Sequence, residues 1–293
     1  MSKAVLEKER IVVRFAGDSG DGMQLTGDRF TSATAVLGND LATLPDFPAE
    51  IRAPAGTVHG VSAFQIQFAS TDITTPGDHA DVLIAMNPAA LKADLHTVER
   101  GGTVILNEDA FTARNIEKAG YAADPRQDGT LEGFQLFEVP MTSITVRATE
   151  EIGISKQEAE RAKNMFALGL VSWMFGRPTE TTLNWLERKF GSKQEIFEAN
   201  VAAFKAGYNF GETTELFAQS YQVAGSPGGG GGGRCEGVDM VWGGGDGATR
   251  AGPGAAGGGG GAGAGGRARG GRNGPGARGG EATMRGRSAA RAT

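Results

Sequence analysis

The sequence predicts an α/β fold: a mainly parallel sheet with helices on both faces, a helical C-terminal part, and a disordered Gly/Arg-rich tail. Three observations predict it. Short β-branched and apolar runs alternate with helical stretches over residues 11–140, the order that a parallel sheet with crossover helices requires. Two of the runs, Val82-Leu83-Ile84-Ala85-Met86 and Thr103-Val104-Ile105-Leu106-Asn107, are almost continuously apolar, as strands covered on both faces are. From Gly225 onward the composition changes abruptly. That stretch holds 29 of the 48 glycines and 9 of the 29 Lys+Arg, with no Leu, Ile, Phe, Tyr or Lys.

Taken in order, Ile11-Val12-Val13-Arg14-Phe15-Ala16 has the composition of a buried strand. It runs into Gly17-Asp18-Ser19-Gly20-Asp21-Gly22. A helix is expected over residues 23–37, stopped by Gly38-Asn39. Strand, glycine turn and helix together open an α/β unit. Residues 41–44 suit a short strand, and Pro45, Pro48 and Pro54 then interrupt regular structure. Residues 61–68 alternate partly and read as a strand. The 82–86 strand ends at Asn87-Pro88, with a helix over 89–98, and Gly101-Gly102 is expected to turn the chain into the 103–107 strand. Residues 134–139 give a later strand closed by Pro140. Ser155 and Glu158 fit a capping box leading one helix over 159–175. A shorter helix opens at Thr179-Glu180, and Ser192 with Glu195 suggests a second capping box for a last helix ending at Gly207.

The tail cannot bury enough apolar surface to offset its chain entropy, so residues 224–293 are expected to be disordered. Its nine arginines face four acids, whereas the body carries 20 basic and 30 acidic residues. An acidic body argues against nucleic acid as a partner. The tail resembles RNA-binding low-complexity segments only faintly, because Trp242 is its sole aromatic. The one cysteine, Cys235, also lies there, so the body has no disulfide, no Cys-ligated zinc and no iron–sulfur cluster. Residues 1–10 are charged and lack the apolar core of a signal peptide, and no apolar run reaches membrane-spanning length. A cytoplasmic protein without a membrane partner is expected.

The glycine turn is the main candidate site. Glycines after a strand and before a helix let backbone amides approach an anion, so Gly17, Asp18, Ser19, Gly20, Asp21 and Gly22 read as a phosphate or pyrophosphate contact. The order G-x-x-G-x-G is neither the dinucleotide fingerprint nor a Walker loop, and two aspartates repel phosphate unless they point away. The other reading is a tight turn with no ligand. Asn87 and Asn107 end central strands, where ligands of open α/β sheets gather, although asparagines also satisfy turns. Asn164, early in an apolar helix, needs partners for its amide, from a neighbouring loop or a ligand. His59, His79 and His96 match no metal spacing. Asp78 and Asp81 around His79 read as a solvated loop, His96 as a surface residue, and His59 as a loop residue before a strand. Ser19 lacks the G-x-S-x-G elbow of a nucleophile. No catalytic residue is assigned and no metal site is expected.

The run from Phe15 to Phe30, FAGDSGDGMQLTGDRF, resembles the start of the gamma domain of 2-oxoacid:ferredoxin oxidoreductases. It is most similar to the type in which gamma and alpha domains share one polypeptide, the alpha subunit. LPDFPAEIRAPAGT from Leu44 to Thr57, AMNPAALK from Ala85 to Lys92 and KNMFALG from Lys163 to Gly169 carry the same likeness, collinear from Ile11 to Tyr221. The resemblance implies an oxidoreductase that decarboxylates a 2-oxoacid to an acyl-CoA and passes electrons to ferredoxin. 2-Oxoglutarate is the first candidate substrate and pyruvate the next. It implies thiamine diphosphate, Mg²⁺ and iron–sulfur clusters only in the assembled complex, with a beta subunit as partner. Coenzyme A contact is expected at the glycine turn, at the strand-end asparagines Asn87 and Asn107, and at Asn164.

On this reading residues 1–10 are an N-terminal extension and 11–223 the gamma domain. In the family an alpha pyrimidine-binding domain follows. Residues 224–293 bear no likeness to it, and their Gly/Ala/Arg/Pro composition is what GC-rich DNA gives in a shifted frame. They are expected to be a frameshift product, with a natural disordered linker as the rival. This chain alone would then be inactive. The alternative functions are a non-catalytic assembly module and a free-standing nucleotide-binding module.

Overall fold

The computed structural model describes residues 3–50 and 53–225. The strands are β1 (Ala4–Lys8), β2 (Arg10–Asp18), β3 (Asp40–Asp46), β4 (Val61–Ala69), β5 (Ala80–Ala85), β6 (Val98–Asn107), β7 (Gln135–Val139) and β8 (Gln219–Val223). The helices are α1 (Met23–Ala35), α2 (Pro88–Asp94), α3 (Ala113–Lys118), α4 (Met141–Ala148), α5 (Lys156–Arg161), α6 (Lys163–Met174), α7 (Thr179–Phe190) and α8 (Gln194–Thr213).

Six strands form one sheet in the order β3-β4-β2-β5-β6-β7. β2, β5, β6 and β7 are mutually parallel, with Ala16 opposite Ala85 and Asn107 opposite Val139. β4 runs antiparallel to both β2 and β3. The sheet is therefore mostly parallel, as expected, with β4 as its one antiparallel strand. The chain returns directly from β3 to β4, with no crossover helix between them to reverse its direction.

Alternation along the strands loads both faces. Val13, Phe15, Ile66, Phe68, Ile84 and Ile105 pack on one face with Phe30 of α1, Phe166 of α6 and Phe204 of α8. Leu83, Ala85, Val104 and Leu106 pack on the other with Ala90 and Leu91 of α2 and Ile116 of α3. Phe30 meets Phe15, Phe68 and Phe175 edge-on at 5.8–5.9 Å, the geometry that aromatic quadrupoles favour. α6 is buried on nearly every side, which explains its almost wholly apolar sequence.

Several local expectations need correction. Residues 1–10 are not only an extension, since Ala4–Lys8 pairs in parallel with β8 in a separate two-stranded sheet. Gly101-Gly102 does not turn the chain. It lies inside β6, where Gly101 has φ 84° and the register with β5 shifts, the mark of a bulge. The 159–175 helix is broken at Ala162, whose amide bonds back only three residues, to Ala159. The Ser155–Glu158 box forms as expected. The Ser192–Glu195 box does not, because Lys193 takes the N-cap position and donates its amide to Phe190. The disordered-tail expectation lies outside the described residues. Among the described residues no helix is long and apolar enough to cross a membrane.

Candidate functional site

The connections out of β2 and β5 diverge. β2 leads into α1 on one face of the sheet, while its parallel neighbour β5 leads into α2 on the other. Their carboxyl ends thus flank a topological switch point, the crevice where open α/β sheets hold ligands. Asp18 ends β2 and Asn87 follows β5, so the glycine turn and the first strand-end asparagine arrive at this crevice together.

The three glycines of the turn do different work. At Gly17 a Cβ would crowd Asp21 and Met23 at 3.1 Å, so its absence lets Asp21 fold back over the strand end. Gly22 is the N-cap of α1 in the left-handed region, φ 75°, and a Cβ there would stand 2.5 Å from Asn164 Nδ2. At Gly20 a Cβ would meet nothing within 4 Å. Ser19 and Gly20 form the exposed tip.

Hydrogen bonds lock the base of the turn. The Asp21 amide donates to Asp18 O (2.8 Å) and the Ser19 amide to Gly60 O (3.0 Å). The Asp18 amide donates to Asp21 Oδ2 (3.0 Å), and Asp21 Oδ1 pairs with Lys163 Nζ at 2.7 Å. Asp18 Oδ2 accepts from the Gly56 amide at 2.8 Å. Its Oδ1 is buried and has no partner among the described residues. The Asn87 side chain lies alongside, near enough to ease the charge though outside hydrogen-bond geometry. Among the described residues no acceptor meets the Gly20 or Gly22 amides.

Burial pushes the Asp18 carboxyl above the usual carboxylate range, and Asp21 adds to the rise; the Gly56 amide, Asn87 and Lys163 oppose it. A carboxyl with a raised folded-state pKa holds its proton more tightly when folded, so its stability penalty builds as pH rises from the unfolded value through the raised folded one. Asp18→Asn keeps an acceptor for Gly56 and removes the charge. Its stability relative to the parent chain is expected to be greater at pH 7 than at pH 4 in denaturant titrations. A constant difference would mean that Asp18 carries no such penalty.

The structure gathers Gly17, Asp18, Ser19, Gly20, Asp21, Gly22, Asn87 and Asn164 at the carboxyl ends of β2 and β5, with Asn164 against Gly22. Asn87 Oδ1 caps α2 by accepting from Ala90 N at 2.8 Å, so only its amide nitrogen is free for other work. Asn107 is committed to structure: its Nδ2 donates to Met86 O and Thr142 Oγ1 at 3.3 and 3.0 Å, tying β5 and β6 to α4. His59 is exposed in the 3₁₀ turn Val58–Gly60. His79 and His96 line a separate cleft of about 760 Å³ with Lys92, Arg100 and Tyr121. That cleft opens beside Val98 and Phe134, away from the strand carboxyl ends where the candidate residues converge. Lys163 and Gly56 were missed from sequence. Lys163 had no signal beyond its place beside Asn164, and Gly56 none beyond its proline-rich loop. Among the described residues no group of three His, Cys, Asp or Glu stands close enough to hold a metal.

Residues 12–210 match the family model described as pyruvate ferredoxin/flavodoxin oxidoreductase. The 2-oxoglutarate oxidoreductase subunit KorA of Mycobacterium tuberculosis is 59% identical over 215 residues, 73% of this chain and 33% of that protein. The chain thus spans about a third of the length of the curated relative it matches. Among solved structures, a 2-oxoglutarate:ferredoxin oxidoreductase from Magnetococcus marinus with 2-oxoglutarate, coenzyme A and succinyl-CoA bound is similar at a TM-score of 0.56 and 26% identity. The match covers 75% of this chain and 34% of that one.

Proposed function

This chain belongs to the pyruvate ferredoxin/flavodoxin oxidoreductase family, and from that premise we propose that residues 11–223 are the gamma domain of a 2-oxoacid:ferredoxin oxidoreductase. The assembled cytoplasmic enzyme converts a 2-oxoacid to an acyl-CoA, and 2-oxoglutarate is the substrate in the names of both relatives. The observation that carries a role in coenzyme A binding is the convergence of the glycine turn and Asn87 at the switch point.

The charges there refine which part of coenzyme A the turn meets. Asp18 and Asp21 face one cation, Lys163, which is already paired. A phosphate brought to this turn would meet excess negative charge. The uncharged pantetheine arm fits better. Its amide carbonyls accept from backbone N–H groups such as Gly20 and Gly22, which have no acceptor among the described residues. Coenzyme A supplies the thiol that receives the acyl group; these residues would bind and orient it.

The redox groups do not fit this chain. A single cysteine, Cys235, cannot ligate an iron–sulfur cluster, so no electron-transfer step runs through it. Thiamine diphosphate and Mg²⁺ likewise belong to alpha- and beta-type domains of the assembled complex, with a beta subunit and ferredoxin as partners. Exposed Leu44, Val58 and Phe47, the last 65% accessible, suit a surface that other parts of the enzyme cover. The same residues also suit the second reading, an assembly module without ligand contact. Residues 224–293 read as the product of a shifted frame. Resequencing the gene across codons 215–300 tests this, and another frame continuing into a thiamine-enzyme domain is expected.

Replacing the matching first third of the Mycobacterium tuberculosis subunit with residues 1–223 of this chain tests the proposal. The chimera, assembled with that enzyme's partner subunit, is expected to reduce ferredoxin in the presence of 2-oxoglutarate and coenzyme A. A chimera that assembles but shows no coenzyme-A-dependent reduction would contradict it.

A further inference from the structure

At the far end of α6 from Asn164, the chain buries a guanidinium without a counter-ion among the described residues. Arg177 is 2% exposed. Its Nη1 donates to Asn39 Oδ1 at 2.8 Å, and its charge lies 4.7 Å from the Phe68 ring centroid. Nε and Nη2 are buried with no acceptor among the described residues. Burial alone pushes its pKa down to about 10. Proteins seldom leave a buried charge unpaired, because its desolvation is then uncompensated.

The identity of the two open atoms is informative. Nε and Nη2 form one edge of the guanidinium, two near-parallel N–H vectors that match the two oxygens of a carboxylate. Arg177 also lines a cleft of about 400 Å³, walled by Val5, Leu37, Phe175 and residues 220–225. Asn39 couples the arginine to that wall, since its Nδ2 donates to Ala224 O at 2.7 Å. Both open atoms are closed off from solvent, so an occupant must displace part of the wall, which includes the last described residues.

We propose that the Nε/Nη2 edge of Arg177 is a receptor for a single carboxylate, held bidentately in the cleft beside β8. The carboxylate comes from a small free acid. The site is separate from the coenzyme A crevice and does not depend on the oxidoreductase reading.

NMR of the full chain labelled with ¹⁵N-arginine tests it, following the Arg177 Nε–H signal. That signal is assigned by its loss in Arg177→Lys and, independently, by its shift in Asn39→Ala. Acetate is the probe, with chloride at equal ionic strength as control. A saturable downfield shift with acetate alone supports the receptor and identifies a free acid as its occupant. A signal already downfield without acetate, which moves back when Glu236, Asp239, Asp246 and Glu281 are replaced by their amides, overturns it in favour of an internal ion pair. A signal that responds to neither overturns the proposal.

Discussion

Gly169→Val is expected to lower the stability of the fold by about 3 kcal/mol or more. α6 and α8 cross at a reciprocal glycine contact. A Cβ on Gly169 would overlap the Phe204 carbonyl oxygen, and one on Gly207 the Phe166 carbonyl oxygen. The obstacles are backbone, so no side chain can rotate away. The two helices would have to separate, and α6 also packs on α1, α4 and β8. Overpacking usually costs about 1–3 kcal/mol, occasionally more; a wedge at the most buried helix belongs at or above the top of that range. Domains of this size hold only about 5–15 kcal/mol of stability. Circular dichroism and the soluble yield would report the loss. A Gly169→Val protein with unchanged melting would show that the helices can move apart freely.

The second large effect is electrostatic. Arg14 sits mid-strand on the face that carries α2 and donates to Asp94 Oδ1 from Nε at 2.7 Å. Its other carboxylate partner, Asp46, is half in solvent, with 55% of its side chain exposed. Burial pushes Asp94 above the usual carboxylate range even with Arg14 beside it, a sign of how strongly this site is desolvated. Asp94→Ala would strand the buried guanidinium, and breaking a buried pair from one side costs about 3–5 kcal/mol. Arg14→Met with Asp94→Leu removes both charges and is expected to cost less than Asp94→Ala alone. Urea unfolding of the three proteins measures this. A double variant as unstable as Asp94→Ala, or more so, would mean that the stranded charge contributes little to the cost.

The legible parts of the fold were those where one element alone decides the pattern. The continuous apolar runs of β5 and β6, the alternation of β4 and the Ser155–Glu158 box needed no tertiary information. The reversal of β4 was hidden, because an alternating strand reads the same in either direction. β1 and β8 were hidden because each is short and mostly exposed or half-buried, and they are stabilised by pairing across more than 200 residues of chain. The bulge at Gly101 looked like a turn, because glycine with positive φ serves both.

The candidate site divides the same way. Its glycine turn and Asn87 follow from strand ends, which sequence marks. Lys163 and Gly56 come from elements distant in the chain, and only folding shows that they brace Asp21 and Asp18. The aspartates, read as a threat to phosphate binding, turn out to be the fastenings of the turn.

The turn also separates structural from ligand effects. Gly22→Ala forces a side chain into left-handed backbone against Asn164 and is expected to cost about 1–3 kcal/mol. Gly20→Val enters open space, so melting should hardly change. It nevertheless places a side chain at the exposed tip where the pantetheine arm is proposed to lie. The decisive measurement is calorimetric titration of coenzyme A into the full chain and its Gly20→Val variant. The account predicts measurable binding to the parent chain, weakened at least about tenfold in the variant, the roughly 1.4 kcal/mol expected from losing one or two backbone hydrogen bonds. Absence of binding, or equal binding by two equally stable proteins, would contradict it and leave the domain as an assembly module.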